Sequence, residues 1–175
     1  MSAICIIGMH RSGTSVITRL LNAYGLNLGP DDGLLGPGHG NETGHFVHKG
    51  FLELNEALLR HFGGSWGCPP KMRRSWEGDP AVRELIARGR VLIDALADHA
   101  PWGWKEPRTT MFIPFWQKLV PGVRYVICIR NPLEVARSLA ERDGMTIPMA
   151  AALWRRYTSA AIAQTHGRPR IMTFY

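Results

Sequence analysis

The chain has 175 residues, 45% hydrophobic and 20% charged, the balance of a globular protein long enough to bury its own core. Lys and Arg outnumber Asp and Glu by 21 to 14, a formal charge of +7. The arginines are dispersed and no basic run is interleaved with aromatics, so a small anionic ligand is expected and nucleic acid is not. Cys5, Cys68 and Cys128 are few, odd in number and without metal-ligand spacing, which excludes a disulfide scaffold and a zinc site. No apolar run approaches membrane-spanning length and no leader-like segment opens the chain, so the expected location is the cytoplasm, with no membrane partner.

Ala3 to Ile7 is a short apolar run that reads as a buried strand. Gly8-Met9-His10-Arg11-Ser12-Gly13-Thr14-Ser15 follows it, and Thr14 to Tyr24 reads as a helix with Val16 onward as its apolar-periodic part, stopped by Gly25. Strand, glycine-bounded turn and helix is the layout of a phosphate-cradling loop. Glycines let the backbone approach the oxygens, and the amides of the first helical turn point at the anion with the helix dipole behind them. The nucleotide-kinase loop reads Gly, four residues, Gly-Lys-Ser/Thr. Here Gly8 and Gly13 keep that spacing and Ser15 occupies the hydroxyl position, but Thr14 stands in the lysine position and the loop's cation is Arg11. Such a loop holds phosphate without the group that reaches a γ-phosphate.

Leu26 to Gly44 is rich in Gly and Pro and reads as a long irregular connection. Phe51, Leu54, Leu58 and Phe62 place one apolar stripe on a helix from His48 to Phe62. Another irregular stretch, Gly64 to Gly78, holds Trp66 and Trp76. Asp79-Pro80 starts a helix that runs to about His99. Trp102 to Lys105 reads as a short strand. Thr109 to Leu119 reads as a helix in which Pro114 demands a kink or a later start. Val123 to Ile129 is the clearest strand, and Asn131-Pro132 caps a helix that continues to Arg142. Thr146 to Gln164 is the last helix, with Met149, Leu153, Tyr157 and Ile162 as its apolar positions, and Ile171 to Tyr175 begins another strand. Alternating strands and helices define the expected fold class: α/β, a three-layer P-loop-like fold with a central, mainly parallel sheet flanked by helices, in a single domain over residues 1–175. In such sheets ligands sit at the carboxyl ends of the strands. Three groups fall there: Gly8 to Ser15, Lys105 to Arg108, and Arg130 onward.

Arg130 is informative. A P-loop nucleotidase ends its second diagnostic strand in an acid that holds a metal ion, whereas an arginine in that place holds an anion. Ser138 lies two turns further along the helix and faces roughly the same way. The combination resembles the sulfotransferases that use 3′-phosphoadenylyl sulfate (PAPS), with motifs similar to the bacterial and tyrosylprotein branches. Gly8 to Ser15 looks like their 5′-phosphosulfate loop, Arg130 with Ser138 like their 3′-phosphate site, Trp104-Lys105-Glu106-Pro107-Arg108 like their Lys-Asp-Pro segment, and Phe174-Tyr175 like the start of a Tyr-Glu-Asp-Leu segment. The resemblance runs from Ile4 to Tyr175. Relatives usually continue further, so a missing C-terminal portion is expected.

The resemblance implies in-line transfer of a sulfuryl group from PAPS to a hydroxyl or amine of a small-molecule, sugar or peptide acceptor, leaving 3′-phosphoadenosine 5′-phosphate (PAP) and requiring no metal. It implies donor binding by Arg11, Ser12, Gly13, Thr14, Ser15, Arg130 and Ser138, with Arg11 and Lys105 as catalytic cations. The general base is sought after the first helix, among Glu42, His45, His48 and Glu53. Glu42 is preferred, because Glu42-Thr43 is similar to a tyrosylprotein-branch segment, and His48 is second. A bacterial pattern, Gly-aromatic-Phe-Glu-His, aligns with Gly44 to His48 but places Val47 where its Glu would be. Two other readings remain: a P-loop small-molecule or nucleotide kinase, and a non-catalytic nucleotide-binding module.

Overall fold

The computed structural model describes residues 3–36 and 44–175. Four strands, β1 (Ile4–Gly8), β2 (Gly103–Lys105), β3 (Arg124–Ile129) and β4 (Arg170–Phe174), form one sheet in the order β2-β1-β3-β4, with every neighbour parallel. The apolar runs are unbroken because the central strands are covered on both faces. Cys5 and Ile7 share one face with Tyr125 and Ile127, while Ile6 shares the other with Val126 and Cys128.

One face is covered by α1 (Thr14–Ala23), which turns Ile17 and Leu21 towards Ile6 and Val126. The opposite face carries the larger core, built from α2 (Lys49–His61), α3 (Pro80–Ala97), α4 (Ile113–Leu119), α5 (Pro132–Asp143) and α6 (Ile147–Gln164). Its centre is aromatic: Phe51 stacks on Trp104 with ring centroids 4.8 Å apart, and Trp116 closes on both. The starts of three helices are set by local chemistry. The carboxylate of Asp79 accepts from the Ala81 amide, the carbonyl of Asn131 from Leu133, and the hydroxyl of Thr146 from Met149, each with proline in the first turn.

Of the two outcomes expected at Pro114, a kink or a later start, the structure has the later start, and it departs from the sequence expectation on α6 and α1. Residues Pro107–Met111 form a 3-10 turn and α4 starts later, with Pro114 in its first turn, where its missing amide costs nothing. On α6 the buried seam is Ala150, Leu153, Tyr157 and Ala161, while Met149 and Ile162 are exposed. Ala150 and Ala161 belong to that seam because α6 packs along α5 over much of its length. On α1, Val16, Leu20 and Tyr24 point outward, and the inward face is Ile17 and Leu21 with the buried Thr14 and Thr18.

The connection from β1 leads to one side of the sheet and the connection from β3 to the other. That divergence opens a crevice at their adjacent carboxyl ends, where Gly8 lies in register with Cys128. The close approach there tolerates only glycine: Gly8 has φ 146°, and a Cβ on it would lie 2.4 Å from the Cys128 carbonyl oxygen. Gly8→Ala is therefore expected to lower the unfolding free energy by at least about 2 kcal/mol in urea titrations followed by circular dichroism. An unchanged midpoint would show that the crevice does not depend on this contact.

Candidate functional site

The crevice is a cleft of about 560 Å³, lined by the loop after β1, the end of β2, the end of β3 and the last turn of α5. All three strand ends singled out in the sequence reach it: Arg11, Gly13, Thr14 and Ser15 from the first, Lys105 to Arg108 from the second and Arg130 from the third.

The Gly8–Ser15 loop turns on Arg11 and Gly13, both in the left-handed region with φ 67° and 80°. For Arg11 this is a conformation that non-glycine residues rarely hold. Its side chain is anchored, Nε donating to the Ser138 hydroxyl at 2.8 Å. Gly13 is the N-cap of α1 and offers no side chain to cap it, so the helix presents its first-turn amides, which have no acceptor within the helix, to the cleft. Ser12, also singled out in the sequence, is 1% exposed and does not line the cleft. These features fit a phosphate or sulfate ligand on chemistry as well as on layout.

Lys105 ends β2. It is 3% exposed, and its ammonium donates to the Ser15 hydroxyl at 3.2 Å. Burial pushes its pKa down to about 8, with the neighbouring Glu106 opposing the shift. Glu106 is itself fully buried and accepts from Arg108 at 2.6 Å and from Asn55 at 2.8 Å. Asn55 also donates to Thr109 and accepts from the indole of Trp116, and Arg108 pairs with Glu56. A chain of satisfied polar groups thus runs from α2 through the 3-10 turn and fixes where Lys105 emerges.

Arg130 enters at the end of β3. Its Nε donates to Glu134 at 2.8 Å, its Nη1 donates to the Arg11 carbonyl at 3.3 Å, and its guanidinium faces the ring of Tyr175 at 5.1 Å. Arg130 and Ser138 were expected to face one ligand group together. The structure ties Ser138 to the Arg11 side chain, so the serine braces the loop, and Arg130 reaches the Arg11 carbonyl. The crowding of cations is visible in Arg11, whose pKa is lowered first by burial and then by Arg142 and Arg130.

Of the general-base candidates, Glu42 lies outside the described residues. His48 is the N-cap of α2, its Nδ1 accepting from the Gly50 amide at 3.1 Å, and its ring lies against Gly29 and Gly33 rather than in the cleft. Glu53 is exposed on α2 and does not line the cleft either. His45 does line it, and burial together with Lys105, Arg142 and Arg11 lowers its pKa, keeping the imidazole neutral.

Sequence reasoning missed three cleft residues. Arg142 lies one helical turn beyond Ser138, so the spacing that pointed to Ser138 also points to it. His10 sits inside the glycine-bounded loop, where any side chain is a candidate. Its ring packs 4.8 Å from Trp66, and burial followed by the surrounding cations pushes its pKa well down. Tyr175 was read as strand, and it lines the cleft between Gly13 and Arg130.

Compared with solved structures, the chain aligns over 99% of its length with sulfotransferase STF9 from Mycobacterium avium, with a TM-score of 0.55 and 16% sequence identity, and it spans 58% of that protein's chain. No family model and no curated protein sequence matches it. The likeness establishes the class of fold: an α/β sulfotransferase fold with an all-parallel central sheet.

A buried ammonium destabilises the fold that holds it. The unfolded chain keeps this proton up to the ordinary lysine range, whereas the folded chain releases it near pH 8, so the penalty is complete below about pH 8 and fades as the pH climbs. Lys105→Met is expected to raise the unfolding free energy at pH 7 by on the order of 1–3 kcal/mol, with the gap to wild type narrowing between pH 8 and 10. Urea denaturation across that range measures it, and a less stable variant at pH 7 would contradict the account.

Proposed function

We propose that this chain binds PAPS in the strand-end cleft and transfers its sulfuryl group to a hydroxyl or amine acceptor. The observation that carries the reading is the convergence of three cations, Arg11, Lys105 and Arg130, from three strand ends onto one helix N-terminus that has Thr14 in place of a phosphate-binding lysine. The sulfotransferase fold supports it. The donor supplies an activated sulfuryl group on a good phosphate leaving group; everything else falls to the chain's own residues.

In this reading the first-turn amides of α1 hold the 5′-phosphosulfate. Arg11 and Lys105 offset the negative charge that develops on the sulfuryl oxygens and the bridging oxygen, as cations do in phosphoryl transfer. Ser138 keeps the Arg11 guanidinium in place for that task. Arg130 receives the 3′-phosphate, exchanging its surface partner Glu134 for it. Such an exchange is favourable, because an exposed carboxylate four residues along a helix contributes little and a doubly charged phosphate contributes more. His45 takes the proton from the acceptor hydroxyl. It is the histidine that faces the cleft from the α1–α2 connection, and the surrounding cations keep it in the neutral form a base requires.

Titration calorimetry in EDTA is expected to show PAP binding, and Arg130→Ala should weaken PAP by roughly tenfold or more while weakening adenosine 5′-phosphate much less. Heat with Mg·ATP and none with PAP would replace this reading with a kinase. Transfer from PAPS to a panel of hydroxyl and amine acceptors is expected to fall by at least about 100-fold in Arg11→Ala. Undiminished turnover in that variant would remove Arg11 from the chemistry, and PAP binding without transfer to any acceptor would leave a nucleotide-binding module.

A further inference from the structure

Two cations of the cleft have no part in donor binding as described above, and one of them, Arg108, is taken by Glu106 and Glu56. Arg142 stands in the last turn of α5, and its guanidinium is held in a fixed position. Nε and Nη2 contact the Asp143 carboxylate at 2.9 and 2.8 Å, and its face lies 5.6 Å from the ring of Trp66. Trp66 is fixed in turn, by the His10 ring on its other side and by a hydrogen bond of 3.0 Å from the Tyr157 hydroxyl to its carbonyl. Trp66 is thus the platform against which Arg142 lies.

The position of Arg142 along α5 gives the distance that matters. Ser138 and Arg142 are separated by four residues, so they project from the same side of the helix about 6 Å apart. Ser138 holds Arg11, the residue assigned to the sulfuryl group. Arg142 therefore stands about one ring's breadth beyond the point of transfer, on the wall that an acceptor must pass. The charge balance of the cleft points the same way. Among the described residues, Arg11, Lys105, Arg108, Arg130 and Arg142 line it against Glu106 and Asp143, and Glu106 is already taken by Arg108 and Asn55. Asp143 occupies the Nε and Nη2 contacts of Arg142, and the guanidinium's five N–H groups leave its outer edge for a second, bidentate partner.

We propose that Arg142 is an acceptor-binding residue and that the preferred acceptor is itself anionic: a hydroxyl compound with a carboxylate, phosphate or sulfate about one sugar ring away from the group that is sulfated. The proposal rests on the sulfotransferase reading, since it takes the donor to occupy Arg11, Lys105 and Arg130. Held by Trp66 and Asp143, Arg142 loses little conformational freedom when it receives the anion, which is the condition for an arginine to discriminate by charge rather than merely attract.

The test uses two matched pairs of acceptors that differ in an acidic group: p-nitrophenyl β-glucuronide against p-nitrophenyl β-glucoside, and 4-hydroxyphenylacetate against 4-methylphenol. Binding of each is measured by calorimetry on the PAP-loaded protein, so that no turnover is needed. The acidic member of at least one pair is expected to bind tenfold or more tightly. Arg142→Gln should abolish that preference while PAP affinity stays within about twofold, and Arg142→Lys should keep part of it. Which pair responds distinguishes a sugar acid from an aromatic acid. Equal affinities within both pairs, including no detectable binding of either acidic member, would overturn the proposal, and so would a preference that survives in Arg142→Gln. If PAP binds wild type and the preference is absent, only this inference falls. If PAP does not bind, the donor reading falls and takes this one with it.

Discussion

Placing an ammonium at the end of β2, almost entirely out of water, is the constraint to which the surrounding structure answers. Lys105 cannot sit there unaided, because a buried cation without a counterion costs several kcal/mol. Glu106 supplies the counterion next to it in sequence, but a fully buried carboxylate is no easier to hold. Arg108 and Asn55 satisfy it, and each needs support of its own. Arg108 finds Glu56, and Asn55 finds Thr109 and Trp116. The polar residues on the inner side of α2 and in the 3-10 turn are thus consequences of one lysine. So is the aromatic packing around them, since Phe51, Trp104 and Trp116 seal the network from water on the sheet side. Fold and site are coupled here: the core is built so that a charge can emerge at one strand end.

On the other side of the cleft the problem is repulsion instead of burial. Arg11, Arg130 and Arg142 crowd one another, and the pKa of Arg11 is lowered first by its burial and then by the other two. Local partners keep them in place. Ser138 holds Arg11, while Arg130 pairs with Glu134 and faces Tyr175, and Arg142 pairs with Asp143 and faces Trp66. The Glu134 pair is exposed and four residues apart on α5, so it holds weakly, and the aromatic faces and the hydroxyl orient a guanidinium without neutralising it.

Most of the fold was legible because its signals are local. An unbroken apolar strand, Asp79, Asn131 and Thr146 before helix-starting prolines, and glycines after helices can each be read in a few residues. The failures came where the answer lay in a partner. Nothing within Thr146 to Gln164 says that α6 turns Ala150 and Ala161 inward in preference to Met149 and Ile162; the close neighbour α5 decides it. The strand-end lining of the cleft was legible for the same reason as the fold: the Gly8–Ser15 loop, Lys105 and Arg130 all lie at strand ends, and a parallel sheet gathers its strand ends on one edge. The opposite wall was not. His45 and His48 are three residues apart, and which of them reaches the cleft depends on where α2 begins, because the N-cap position claims the ring of His48. Arg142 and Trp66 meet only through the packing of α5 against the α2–α3 connection.

The loop after β1 gains meaning from this arrangement. In a kinase-type loop the cation that reaches the transferred group is the lysine of the loop itself, so loop and catalyst are one element. Here that position is Thr14, buried, with its carbonyl accepting from Thr18 inside α1. The cations come from outside the helix start: Arg11 from the turn before it, Lys105 from β2 and Arg130 from β3. Distributing the charge over three elements makes the cleft depend on the register of the sheet, since a shift of β2 or β3 against β1 would separate the cations from one another. Gly8, pressed against the Cys128 carbonyl, holds that register at the point where it matters. The same glycine that lets the chain turn into the loop therefore also sets the spacing of the charges around it.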